Sequence, residues 1–237
     1  MDQFFLVVGI LFLAALVGLA VYFSHKAVEQ RRKELAALAA ELGWSFEPAK
    51  DSSHDSRYSQ FEVFRKGHSR AAYNTLAGSL AIDGRAFPAT MGDFTYKVTS
   101  SNGKTTTTHT YNFSYLIVHL PFRAVPDLFI RPENLFDKFA AAIGFDDIDF
   151  ESAEFSRKFL VKSGDKRFAY AVIHPRMMEF LMRSPGRTID LERGCVCLTS
   201  GGSRWSVPEF RGNTGWIREF FDLWPDHLTA DLENRAG

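Results

Sequence analysis

The pattern of hydrophobic positions divides the chain into four stretches. From Phe4 to Phe23 there is no charge and no strongly polar side chain. About 20 residues at 1.5 Å each span about 30 Å, the thickness of a bilayer's hydrocarbon core. A transmembrane helix over 4–23 follows, with Phe4, Leu11 and Phe23 marking its start, middle and end, and residues 1–3 left as a short outer N-terminus. Lys26 to Leu42 is rich in Glu, Lys, Arg, Ala and Leu, all strong helix formers, and Gly43 supplies a stop. A juxtamembrane helix over 24–43 therefore continues the span. Its stripe of Val28, Leu35, Leu38 and Leu42 suits packing on its own domain or a short coiled coil.

Beyond Gly43 the period shifts towards two. Trp44 to Glu47 reads as a short strand, Asp51 to Arg57 as a polar loop, and Phe61 to Lys66 as a strand. Ala71–Ile82, Ala86–Thr99 and Thr105–Leu120 read as a curved antiparallel meander. Its turns are Asp83-Gly84 and Ser101-Asn102-Gly103. Pro88 implies an edge or a bulge. Tyr111, Phe113, Tyr115 and Ile117 share one face. After Pro121 and Pro126 the pattern is mixed: a helix over Asn134–Ile143, an extended stretch over Phe145–Phe150, and a strand over Phe159–Lys162. Two helices follow, Asp165–Ile173 and Arg176–Met182, divided at His174-Pro175. Then come a hairpin of Thr188–Glu192 and Cys195–Thr199, a short strand over Trp205–Val207, and a last helix over Gly215–Leu223. Strands in succession followed by mixed elements define an α+β class, a curved antiparallel sheet with three or four packed helices. The soluble domain is expected over 44–228, with a frayed tail over 229–237.

Charge decides orientation. Met1-Asp2-Gln3 carries an acid and no basic side chain, whereas Lys26, Arg31, Arg32 and Lys33 follow the span. Basic flanks remain on the cytoplasmic side. The reading is a single-pass signal-anchor protein of the inner (plasma) membrane, N-terminus outside and domain cytoplasmic. A cleaved leader would need a basic start, a shorter apolar run and a cleavage site, none of which is present. The basic flank would rest on anionic headgroups. Ala14 and Gly18 form a small-xxx-small pair through which two copies could associate weakly.

Composition narrows the function classes. Lys+Arg and Asp+Glu both number 28, so the chain has no net charge, which disfavours nucleic acid as a partner. Aromatics reach 14%, with 23 Phe, enough for a folded core. Cys195 and Cys197 stand one residue apart on a strand, too far apart for a disulfide and suited to facing the core together. That fits a reducing compartment.

Candidate chemistry is sparse. Asp147, Asp149 and Glu151 alternate with Ile148 and Phe150, so an extended segment would line three carboxylates on one face, as a hard cation prefers. A plain edge strand has the same pattern. Gly103-Lys104-Thr105 ends like a phosphate-binding loop, but position 98 is Val and the context is a β-turn. Ser203 follows Gly201-Gly202, but Trp205 stands where a nucleophile elbow needs Gly. No two of the seven histidines have metal-ligand spacing; His109 falls on a strand with Thr107 and Tyr111. Cys195 and Cys197 have no further Cys to complete a zinc site. Asp93, within Gly92-Asp93-Phe94-Thr95-Tyr96, suits a buried hydrogen-bonding carboxylate or a bulge cap. No cofactor is implied.

Taken together, these residues resemble an uncharacterised bacterial family of single-pass membrane proteins, largely actinobacterial. The carrying features are the anchor with its basic helix, Gly92 to Tyr96, and the Thr-rich hairpin. Arg131-Pro132-Glu133, Asp147 to Glu151, Glu154-Phe155, Phe168-Ala169, His174-Pro175 and Met177-Met178 complete them. The resemblance implies architecture and no chemistry. The expected function is a non-enzymatic, membrane-tethered binding or scaffold module with an unidentified protein partner. The alternative is a membrane-proximal enzyme using Asp93, His109 and the acidic face.

Overall fold

The computed structural model describes residues 2–122, 124–133 and 147–234. One helix, α1 (Asp2–Leu42), runs unbroken through the apolar segment and the juxtamembrane region. From Phe4 it is long and apolar enough to cross a membrane, and the apolar half is unburied. The chain is thus a single-pass membrane protein, and no second such helix occurs among the described residues. The far half of α1 behaves differently. Leu35, Leu38 and Ala39 are buried in the domain core while Val28 is exposed, so the stripe packs α1 on its own domain.

The class is α+β. Eight antiparallel strands form one sheet in the order β1-β2-β3-β4-β8-β7-β5-β6. They are β1 (Ser45–Glu47), β2 (His68–Ile82), β3 (Arg85–Ser101), β4 (Thr106–His119), β5 (Leu128–Pro132), β6 (Phe159–Lys162), β7 (Arg187–Glu192) and β8 (Cys195–Ser200). Strand alternation separates two cores. One face, through Leu76, Leu80, Met91, Leu116, Ile130 and Leu198, meets α1 and helices α3 (Ala153–Lys158), α4 (Lys166–Val172), α5 (Pro175–Arg183), α6 (Val207–Asp222) and α7 (Asp226–Asn234). The other, through Phe94, Phe113, Tyr115, Ile117 and Cys197, is covered by Phe61 and Phe64.

Several expectations need correction. Phe61–Lys66 is no strand: Glu62–Phe64 is a 3-10 turn, because Phe61 and Phe64 both bury and three residues apart is a helical spacing. Asp51–Arg57 contains a helical turn, α2 (His54–Arg57), that buries His54. Pro88 does find the edge expected for it: β4 pairing ends one position away at Ala89 opposite Val118, and Pro88 pairs only with Ser79 of β2. Trp205–Val207 is no strand; Ser206 caps α6 with a capping box shared with Glu209, so the helix begins eight residues before Gly215. β5 and α3 are elements that the sequence pattern does not mark. The tail is not frayed through residue 234, since α7 buries Leu228 and Leu232. The helix expected at Asn134–Ile143 lies outside the described residues.

Candidate functional site

The most connected polar group joins anchor to domain. Asn74 has a positive φ of 50° at a register shift in β2, and this bulge leans on β3 at Gly92. A Cβ at Gly92 would stand 3.1 Å from the Asn74 carbonyl oxygen, so the glycine permits the approach. The next residue, Asp93, faces α1 and has no exposed surface. Arg31 meets it as a fork: Nε donates to Oδ2 at 2.8 Å and Nη2 to Oδ1 at 2.6 Å. Asn74 Nδ2 donates to Oδ2 at 3.0 Å and Ser114 Oγ to Oδ1 at 2.7 Å. Arg31 Nη1 also donates to the Trp205 carbonyl at 2.9 Å, and the guanidinium sits 5.9 Å from the centre of the Phe210 ring. Every Asp93 lone-pair direction is thereby used, the condition under which a buried pair holds its geometry.

Arg31 therefore points inward, its side chain 17% exposed. Lys26, Arg32 and Lys33 are exposed. Further along α1, Arg211 Nε donates to Glu41 at 3.1 Å, and two residues past its end Trp44 Nε1 donates to the Ser79 carbonyl at 3.1 Å. Anchor and domain are tied at three levels.

A second polar group lies on the opposite face. Cys195 Sγ is 3.3 Å from His119 Nδ1, and Tyr58 Oη is 3.2 Å from His119 Nε2. Burial pushes the Cys195 thiol up and the His119 imidazole down, so both are held neutral rather than as a thiolate–imidazolium pair. Cys197 is buried beside them, and both cysteines are free. Asp190, opposite Cys197, is pushed well up by burial and by Glu192 and Asp127. His54 packs tilted or edge-on among Tyr58, Phe64, Phe94 and Tyr115; burial, then Arg57, lowers it to about 4.

The residues suspected of catalysis do not converge. Asp93 is on the third strand of the sheet and sealed by Arg31. His109 is exposed on β4, opposite Val98. Asp147 pairs with Lys162 at 3.3 Å beside β6, at the far edge of the sheet. Asp147, Asp149 and Glu151 point outward while Ile148 and Phe150 are buried, the edge-strand pattern. Among the described residues no three His, Cys, Asp or Glu side chains come together as a cation site. Asp149, Glu151 and Glu179 instead line an open groove of about 800 Å³ together with Tyr170, Met178 and Met182. Gly103-Lys104-Thr105 is a hairpin turn. The Arg31–Asp93 fork, spanning 62 positions, was half legible: Asp93 stands out between aromatics, whereas nothing local marks Arg31 as its partner.

No protein-family model and no curated protein matches the chain. Among solved structures, the mycobacterial trehalose monomycolate transport factor A, TtfA, shares the fold: TM-score 0.54 at 12% identity, over 84% of this chain and 96% of that one.

Proposed function

We propose that the chain is a non-enzymatic scaffold that holds a binding surface at a fixed height and orientation beside the membrane, on its cytoplasmic side. The observation that carries this reading is the sealed Arg31–Asp93 fork. A flexible tether needs no buried ion pair between anchor and domain, whereas a module that must present one surface at one angle does. TtfA, which shares the fold, is a transport factor, and that supports an accessory role rather than a catalytic one. Its mycobacterial source fits the family the motifs resemble. The scatter of Asp93, His109 and the acidic face over separate places weakens the enzyme alternative.

Chemical cross-linking in intact membranes, followed by purification in gentle detergent, tests the scaffold. A recurrent protein partner is expected, recovered in smaller amount when Asp93→Ala breaks the fork and loosens one of the three ties between anchor and domain. Repeated recovery of the chain alone would overturn the reading. A reporter pair active on opposite sides of the membrane, fused after residue 237, tests the orientation. A cytoplasmic signal is expected, and a signal from the far side would place the domain in the envelope.

A further inference from the structure

The contacts along α1 fix the direction in which the sheet runs relative to the bilayer. Arg31 meets Asp93, and Trp44 meets Ser79, whose partner on β3 is Pro88. Thirteen residues carry the chain from Arg31 to Trp44, about 20 Å away from the membrane. Over the same interval β3 runs backward from Asp93 to Pro88, about 17 Å. The two elements therefore run in opposite senses, and β3 beyond Asp93 heads back to the bilayer. From Asp93 to the turn at Asn102-Gly103 is about 30 Å of strand, whereas from Arg31 to the end of the span at Phe23 is about 12 Å of helix. The hairpin reaches the level of Tyr22 and Phe23 even when inclined by about 60° to α1.

Its chemistry suits that place. Every residue from Lys97 to Asn112 is exposed. Lys97 is the last β3 residue paired with β2, and β8 reaches β4 only at Tyr115, so the outer hairpin is a two-stranded ribbon. Such ribbons are marginal in water by themselves. No acidic residue occurs between Phe94 and Phe122, while Lys97, Lys104 and His109 lie on the ribbon. Outside α1, the exposed large hydrophobic residues among those described are Val98, Tyr111 and Tyr170, two of them here. Tyr96 and Tyr111 stack at 5.1 Å, and tyrosine is suited to the headgroup layer. At the tip Asn102 Oδ1 accepts from the Lys104 and Thr105 amides, and Gly103 takes a φ of 84°, which fixes the turn that carries Lys104.

We propose that the β3–β4 hairpin beyond Lys97 is a second membrane contact, lying on anionic phospholipid headgroups beside the point where α1 enters the bilayer. The proposal rests on α1 as the anchor. Each lysine at an anionic surface is worth about fivefold in partition, so the two together are worth about twenty-five-fold.

The test uses the full chain in nanodiscs of phosphatidylcholine alone, or with phosphatidylglycerol at about one lipid in three. Hydrogen–deuterium exchange is followed over residues 98–109, with the β7–β8 hairpin as internal control. Exchange of the hairpin is expected to slow about tenfold in the anionic discs, and the slowing to vanish at high salt. Lys97→Glu/Lys104→Glu is expected to abolish it while leaving β7–β8 unchanged. Equal hairpin exchange in both discs, with the chain co-migrating with each, overturns the second contact alone. A chain that co-migrates with neither disc overturns the anchor and the contact together.

Discussion

Single residues hold anchor and domain in register, and two of them allow sharp tests. Removing Asp93 leaves a guanidinium facing the core without its counter-ion, and breaking a buried pair in this way costs about 3 kcal/mol or more. Asp93→Ala should therefore lower the urea midpoint of the full chain in detergent well beyond an average surface change. Arg31→Lys keeps the charge but cannot reproduce the fork, so it should also destabilise, though less. A midpoint unmoved by either variant would mean that the fork does not hold the junction. His54 gives a test in pH. Its folded value, about 4, lies below its ordinary 6.5, so the fold holds the neutral ring. Stability is whole above about pH 6.5 and falls as the pH drops towards 4, by on the order of 3 kcal/mol in all. His54→Leu should remove that acid slope, seen as unfolding midpoints that converge across the range. At this scale Asp93 was legible, as a charge among aromatics that must find partners. Arg31 was not: on sequence it belongs with Arg32 and Lys33, and only the twist of α1 turns it inward while they stay in water.

Elements were legible where local chemistry decides them. Asp83-Gly84, Asn102-Gly103 and Arg193-Gly194 each supply a positive φ, and each closes a hairpin in the structure. Where packing decides, the pattern misleads. Phe61 to Lys66 offers a weak alternation, yet burying Phe61 and Phe64 against the sheet overrides it. β5 is five residues ending at Pro132, too short to show a period, and it is held by pairing with β6 and β7. The start of α6 was readable: Ser206, a proline at 208 and Glu209 form a capping signature ahead of Phe210. The C-terminal helix α7 makes a further prediction. It buries Leu228 and Leu232 in the main core with Trp224 and is tied back by the Arg85–Glu233 ion pair. Ending the chain after Pro225 should cost about 3 kcal/mol or more from the two leucines, measurable as a lowered melting temperature in detergent. A frayed tail would give no change.

At the scale of the whole molecule the α+β class, the single span and the meander followed from period alone, because each is set by repetition over many residues. The order of the sheet did not. Inserting β8 and β7 between β4 and β5 is a long-range choice with no local marker. This same arrangement puts the acidic segment at the edge farthest from β1, which is why residues that look like a site in one dimension are dispersed in three.

The unbroken α1 has a mechanical consequence. Since helix and sheet are fastened together from Arg31 to Trp44, the domain turns with the span as one lever. Trp44 lies about 30 Å beyond Phe23, so a change of about 10° in helix tilt, of the kind that follows a few ångströms' change in hydrocarbon thickness, swings that end by about 5 Å. A thicker or thinner bilayer would thereby be converted into a displacement of the domain.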